Sequence, residues 1–371
     1  MAELVPFGAA ALRELLPEWR GLWAGARDRE PFSHPDWVAA YLAAFEPAAT
    51  PVVLTARLDG ALIAVVPLIR ESTILDGMPV RLLRALMNPH TFRVHLLTAD
   101  GALQAPCAIC DYLTSMPGWD VLAIPRFARD GFPDHLGHCT SCHGFPTMVL
   151  AQFATRYMLM PDAASARGDE PWLTDVRPEL KKKLRKGWRQ VLEEYRIEPA
   201  LETHDAADPA QLARFYDIEA SGWKGREGTA IKCAPDTLQF YNAVAQAFAA
   251  EGALRLHFLG VGNVTIAGAF SLVAGDQMFV LKWSYDETYS KYRPGNLLAR
   301  EMLRDASQHG IRTVDLGGDA DYKREWTSRT REHESLYVFN NTMYGKLLYA
   351  YRARLRPYVG ELIRSARKRP A

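Results

Sequence analysis

Apolar residues along the chain gather into short runs broken by Gly, Asp and Asn, and these runs alternate with stretches whose apolar positions recur at helical spacing. Runs at 52–58 and 61–69 flank Asp59-Gly60, a dipeptide that tolerates the left-handed backbone of a two-residue turn, which predicts a β-hairpin. Further strands are expected at 80–87 and 119–124, and Ser33-His34-Pro35-Asp36-Trp37 reads as the start of a helix. Later in the chain a basic helix is expected at 178–195, followed by a strand at 197–203 and helices at 209–221 and 235–250. Strands at 254–261, 265–273 and 277–284 form a meander through Gly262-Asn263 and Gly275-Asp276. A helix at 297–309, a strand at 311–316, a helical piece at 322–326, a strand at 335–339 and a basic C-terminal helix complete the pattern.

This order reads as α/β of the α+β kind, with mixed, mainly antiparallel sheets flanked by helices. A chain of 371 residues exceeds the usual single-domain size, so two domains are expected. The segment 161–170, rich in Ala, Asp, Gly and Pro, sets the boundary and gives domains 1–160 and 161–371. The halves have related layouts, which suggests an internal duplication, although no repeat aligns.

An apolar fraction of 48% suits real cores, and a net charge of +1 argues against a general nucleic-acid binder. With neither a membrane-length apolar run nor a signal peptide, a cytoplasmic protein is expected. The helix at 178–195 carries Lys181, Lys182, Lys183, Arg185, Lys186 and Arg189 around most of its circumference. It reads either as a solvated amphipathic helix or as a contact for an anionic inner-membrane surface, a polyanionic glycan or tRNA phosphate, reinforced by C-terminal arginines such as Arg364 and Arg367.

The most informative stretch runs from Trp283 to Asn296, WSYDETYSKYRPGN, where an apolar run ends in an acidic turn and a helix opens at Arg293-Pro294-Gly295-Asn296. Unpaired N–H groups in such a first turn, through Leu297, can receive a pyrophosphate. Neither GxxxxGK[ST] nor GxGxxG occurs in the chain. Asp286 or Glu287 could act as general base, or Asp286 could cap a turn. Tyr285, Tyr289 and Tyr292 offer phenolic hydroxyls as proton donors, or pack as aromatics. Asp315, just before Gly317-Gly318, could orient an amine or hold Lys323.

The strings EASGWKGREGTA (219–230), YDETYSKYRPGNLL (285–298) and DLGGDADYKREW (315–326) resemble the CelD/BcsL group of bacterial GNAT-like acetyltransferases, the BioF2-like acetyltransferase domain, relatives of the FemAB peptidoglycan aminoacyltransferases. The resemblance implies tandem GNAT-like halves over roughly 30–350, with one donor site, since the first half has no RPGN equivalent. It implies acetyl-CoA held at Arg293, Pro294, Gly295, Asn296 and Leu297, with Tyr285 and Asp286 at the mouth between donor and acceptor; together with the roles read from the residues, catalysis is expected at Tyr285, Asp286, Asp315 and Lys323. Trp223, Lys224, Tyr289 and Trp326 would line an acceptor site for an amine of an envelope-glycan precursor. FemAB relatives use aminoacyl-tRNA, so that donor is the alternative, and it is the one route by which a specific nucleic acid would enter. A non-catalytic protein that binds a glycan or an assembly partner is the other reading.

Five cysteines are too few for a secreted disulfide scaffold. Cys107-x-x-Cys110 and Cys139-x-x-Cys142 could supply four thiolates to zinc, with His135, His138 and His143 nearby. Both pairs read as helical and lack the tight knuckle turns of zinc ribbons, so reduced cysteines are favoured and no metal is expected.

Overall fold

The computed structural model describes residues 1–6, 10–129, 131–161 and 168–355. The chain begins β1 (Ala2–Pro6), α1 (Ala10–Gly25), α2 (Pro35–Phe45), β2 (Thr50–Leu58), β3 (Ala61–Leu75), β4 (Met78–Ala85), β5 (Leu97–Thr98), α3 (Ala105–Ser115), β6 (Val121–Ala128), α4 (Phe132–Cys142) and β7 (Thr147–Leu159). It continues α5 (Pro178–Tyr195), β8 (Ala200–His204), α6 (Pro209–Ala220), α7 (Trp223–Arg226), α8 (Pro235–Ala250), β9 (Leu254–Val261), β10 (Val264–Ala274) and β11 (Gln277–Tyr285). The last described elements are α9 (Pro294–Gln308), β12 (Thr313–Gly318), β13 (Thr330–Phe339) and α10 (Met343–Ala350). Part of the expected boundary segment and most of the basic C-terminal helix, including Arg364 and Arg367, lie outside the described residues.

The chain divides into two compact units, one of 1–38, 48–153 and the residues from 332 on, the other of 39–47 and 154–331. These are not the two sequential blocks 1–160 and 161–371, and strand pairing gives the reason. β13 pairs antiparallel with β6 of the first unit, through contacts such as Leu336 with Ile124. Residues 155–159 of β7 pair antiparallel with β12 of the second unit, Asp315 facing Tyr157. Each half of the sequence therefore gives its last strand to the other unit.

The duplication is visible in the order of elements. β1, two helices, the β2-β3-β4 meander, α3 and β6 are matched by β8, helices α6 to α8, the β9-β10-β11 meander, α9 and β12. In each unit the third meander strand runs parallel to the strand after the helix, β4 beside β6 and β11 beside β12. Asp59 and Gly60 both take positive φ, 49° and 85°, so the first hairpin closes as its dipeptide predicts.

The first core gathers Leu54, Val66, Leu83, Ile109, Trp119, Leu122 and Leu136, with Leu336 and Val338 from β13. At its side lies a buried ion pair: Arg93 donates to both Glu30 carboxylate oxygens at 2.6–2.9 Å. The second core joins Leu184 and Val191 of α5 to Leu297, Leu298 and Met302 of α9 and to Ile266, Met278 and Val314 of the sheet. β9 and β10 read as nearly unbroken apolar runs because helices pack on them, α8 and α6 among them and α9 on both. Among the described residues no helix is long and apolar enough to cross a membrane.

The basic helix α5 buries Leu180, Leu184, Gly187 and Val191 and leaves Lys182, Arg185, Lys186 and Arg189 exposed. Gly187 sits where a Cβ would stand 2.5 Å from the Tyr292 carbonyl oxygen, so its missing side chain admits the backbone just before Arg293.

Two stability measurements check these contacts. Arg93→Met strands the Glu30 carboxylate in the core, and urea unfolding should show a loss of about 3–5 kcal/mol. Glu30→Met combined with Arg93→Met should recover much of it; full stability of the single variant would contradict the pairing. An alanine in a helix interior normally gains about 1 kcal/mol over glycine. Gly187→Ala should instead destabilise by about 1–3 kcal/mol, because backbone has to move, and a more stable variant would contradict the close approach.

Candidate functional site

β11 and β12 pair in parallel only at Gln277 with Thr313, Met278 with Val314 and Phe279 with Asp315. Beyond these pairs the ladder stops, although β11 continues to Tyr285 and β12 to Gly318. The cause lies on the other edge of β11, where Phe270 faces Lys282 and Ser271 faces Val280, leaving Leu281 as an extra residue. Such a bulge bends its strand and increases the local twist. β12 turns as well: Gly317 has φ 73°, and its N–H donates to the buried Asp315 carboxylate at 2.7 Å. The parallel pair thus opens into a V bounded by 280–285 and 316–318.

The short turn Asp321–Glu325 places polar groups beside this opening. Trp283 Nε1 donates to the Tyr322 hydroxyl at 3.0 Å, their rings 5.7 Å apart. That leaves the Tyr322 hydrogen able to donate; local desolvation raises the pKa of its hydroxyl, although the residue is 47% exposed. Lys323 Nζ donates to the Leu316 carbonyl and lies 5.7 Å from the Tyr322 ring and 6.0 Å from the Trp283 ring. Burial lowers the Lys323 pKa to about 8, outweighing the pull of Asp315 and Asp319. Asp319 is held down to about 2 by Arg324 and Arg156, and Arg331 reaches Asp315 at 3.5 Å.

A second polar cluster surrounds Lys282, the neighbour of Trp283 in the strand. Burial and the Lys224 charge lower the Lys282 pKa to about 8 against the pull of Glu219. Glu219 is wholly buried, accepting from Lys224 at 2.9 Å and from the Ile231 N–H at 2.7 Å. Lys224, expected to meet an anionic substrate, is therefore paired within the protein. Glu287 accepts from the Trp223 N–H at 2.9 Å and from Arg226 at 2.8 Å, tying the WKGR helix to the turn after β11. The Trp223 residue itself is 52% exposed.

The expected cradle is narrower than its sequence suggests. Arg293 takes a left-handed conformation, φ 60° and ψ 51°, and its carbonyl accepts from the N–H groups of Asn296 at 2.9 Å and Leu297 at 3.1 Å. Pro294 has no N–H, so Gly295 alone keeps an amide without a partner among the described residues. The Tyr285 ring lies against it, 3.1 Å from where a Cβ would stand. Leu297 is core, and so is Trp326, which is 1% exposed and cannot line an acceptor site without repacking.

Asp286 caps the following turn, accepting from the Thr288 N–H at 2.9 Å and its hydroxyl at 2.8 Å, the capping role its position allowed. Tyr292 is buried against Tyr195, with Tyr289 half-buried beside the same ring. The structure thus brings Asp315 and Lys323 together, and adds Trp283 and Tyr322, which sequence reasoning passed over. Both occur in the informative strings, but only the bulge and the turn after β12 show that they meet.

Residues 178–324 match the family described as Acetyltransferase (GNAT) domain. No curated protein sequence matches the chain. The fold is similar to the crystal structure of FemX, at 13% identity and a TM-score of 0.60, covering 90% of this chain and 98% of that one. It is also similar to the C-terminal DUF2156 domain of a putative lysylphosphatidylglycerol synthetase from Agrobacterium fabrum, at 10% identity, a TM-score of 0.54 and coverage of 91% and 94%. A conserved protein of unknown function from Bacteroides thetaiotaomicron is similar at 11% identity and a TM-score of 0.54, covering 88% and 97%. The second unit therefore carries a GNAT-type acyltransferase fold, in a chain of tandem-like architecture.

Proposed function

We propose that the second unit is an N-acyltransferase of the CelD/BcsL type that moves an acyl group, acetyl first among them, from CoA to an amine, with an amino sugar of an envelope-polysaccharide precursor as the acceptor. The observation that carries this reading is the V between β11 and β12 with Lys323 and Tyr322 beside it. An opened strand edge offers N–H and C=O groups to an extended, amide-bearing arm, as an added strand would use them. The pantetheine arm of CoA has that chemistry. The Gly295 N–H and the exposed Arg293 are the groups available to its diphosphate.

The transfer needs a neutral amine, a place for the tetrahedral oxyanion and a proton for the departing thiolate. Lys323, with a pKa of about 8, can take the amine proton in its neutral form. Strand-edge N–H groups can face the oxyanion. Tyr322, its oxygen already accepting from Trp283, can return a proton to sulfur as the carbon–sulfur bond breaks. Asp315 acts on Lys323 through its charge, a positioning role. The exposed cations of α5 suit an anionic inner-membrane surface near such an acceptor.

A donor of aminoacyl-tRNA type is the second reading, favoured by a cavity of about 700 Å³ lined by Lys181, Arg185, Arg300 and Arg304 beside Trp172. Two of these cations are already compensated, Arg300 by Glu170 at 2.7 Å and Arg304 by Glu301 at 2.7 Å, so the thioester donor is preferred. RNase treatment that abolishes activity would reverse that preference.

Thiol release from acetyl-CoA in the presence of amino-sugar acceptors gives the test. Tyr322→Phe and Lys323→Met should each slow transfer by about 10²–10⁴-fold, and the wild-type rate should rise with pH until about 8 and then level, a limb that Lys323→Met loses. The folded pKa of Lys323 lies below its ordinary 10.5, so folding is disfavoured while the group is protonated and favoured as pH rises from about 8 to 10.5. Lys323→Met should accordingly be the more stable protein below pH 8, and wild-type rates in both variants would overturn the assignment. Separately, Gly295→Asp sets a carboxylate at the one free amide of the turn; calorimetry should show CoA binding at least about tenfold weaker, a loss of 1.4 kcal/mol, and unchanged binding would remove the diphosphate from this corner.

A further inference from the structure

The geometry points to a structural zinc site in the first unit, formed by Cys107 and Cys110 of α3 with Cys139 and Cys142 of α4. Residues three apart on a helix share a face. Each Cys-x-x-Cys pair therefore presents two thiols to one side, and α3 and α4 pack against each other. The Cys107 and Cys139 sulfurs meet at 3.0 Å, too long for a disulfide bond near 2.05 Å. Cys110 lies wholly buried behind them, and Cys142 is one turn beyond Cys139 on the same helix.

Around the thiols the helices are held in register. His143, at the end of α4, places Nδ1 2.7 Å from the Cys139 carbonyl and Nε2 3.0 Å from the Asp111 carboxylate of α3. This clasp fixes α4 to α3 next to the cysteines without using a thiol. A cavity of about 600 Å³, lined by Asp134, His135, His138, Cys139 and Ser141, opens onto Cys139 and gives an ion a polar route inward. His138 Nε2 stands 3.8 Å from the Cys142 sulfur, close enough to hand an ion across.

Four thiolates around one ion are the donor set of structural zinc, with Zn–S near 2.3 Å and sulfurs about 3.8 Å apart. No third sulfur, histidine nitrogen or carboxylate among the described residues lies within 4.8 Å of both Cys107 and Cys139. Closing the set requires the Cys107–Cys139 pair to open by under an ångström and the Cys110 and Cys142 sulfurs to move in toward it. On binding, each thiol gives up its proton to solvent and the ion gives up its water, so affinity falls as pH falls. The site would pin α3 to α4 in the unit that lacks the opened strand pair.

The full-length chain provides its own control, because Cys233 is exposed and belongs to the other unit. Elemental analysis after expression with zinc should find about one ion per chain. Cobalt exchanged into the protein should show tetrahedral ligand-field bands with thiolate charge transfer. A thiol reagent should modify Cys233 at once and the exposed Cys107 and Cys142 only after a chelator is added, and the chelator should lower the melting temperature. Cys107→Ser and Cys139→Ser should lose the metal, while Cys233→Ser keeps it. Metal-free protein whose exposed Cys107 and Cys142 react without chelator would overturn the proposal. So would a mass lower by two hydrogens from a Cys107–Cys139 disulfide, or full zinc content in Cys107→Ser.

Discussion

One extra residue in one strand shapes the second unit. Leu281 has no partner on β10, and β11 pairs with β12 only as far as Phe279, just before it. A sheet is stable because each strand satisfies its neighbour's N–H and C=O groups, so two parallel strands that separate leave polar backbone in need of partners. The protein supplies one itself: Lys323 reaches back to the Leu316 carbonyl. Trp283 on one arm of the V and Tyr322 in the turn that follows the other join through a hydrogen bond at 3.0 Å. The low pKa of Lys323 follows from its desolvation beside this opening.

The duplicated first unit shows what the absence of a bulge does. Its β3–β4 ladder runs from Leu68 with Ala85 to Leu75 with Met78 without a shift in register, and β4 ends one residue after its last pair with β6. The parallel pair there also spans three residues, Leu82 with Val121 to Arg84 with Ala123, but β4 itself ends at Ala85, and the helix that follows begins at Ala105-Pro106 after a long connection, with no equivalent of Arg293-Pro294-Gly295. The exchange of β7 and β13 explains why neither repeat is a unit by itself: each core is completed by a strand from the other half of the sequence.

Much of the architecture was legible because it is written locally. Asp59-Gly60 marks its hairpin, Gly262 and Gly275 mark the meander, and the apolar stripe of 178–195 marks α5. β7 escaped notice, since its burial alternates poorly and its partners are distant in sequence. The bulge was invisible: Leu281 simply continues the apolar run from Met278 to Val280, and nothing in its identity says that it goes unpaired. The RPGN turn was read correctly as a helix start, yet its amides were counted as free when the Arg293 carbonyl satisfies two of them. Trp326 looked like a cleft residue because it ends a distinctive string, but the string folds back and buries it. A segment's fold was easier to read than a side chain's surroundings, since a segment's identity is local and a side chain's neighbours are not.

Hydrogen–deuterium exchange with and without acetyl-CoA tests the opened strand pair most directly. An arm that lies along the free edges must shield them, so amides at 280–285 and 316–318 should exchange more slowly when the donor is bound, while 82–85 and 121–123 in the first unit stay unchanged. Donor binding that leaves 280–285 and 316–318 unprotected would contradict the account.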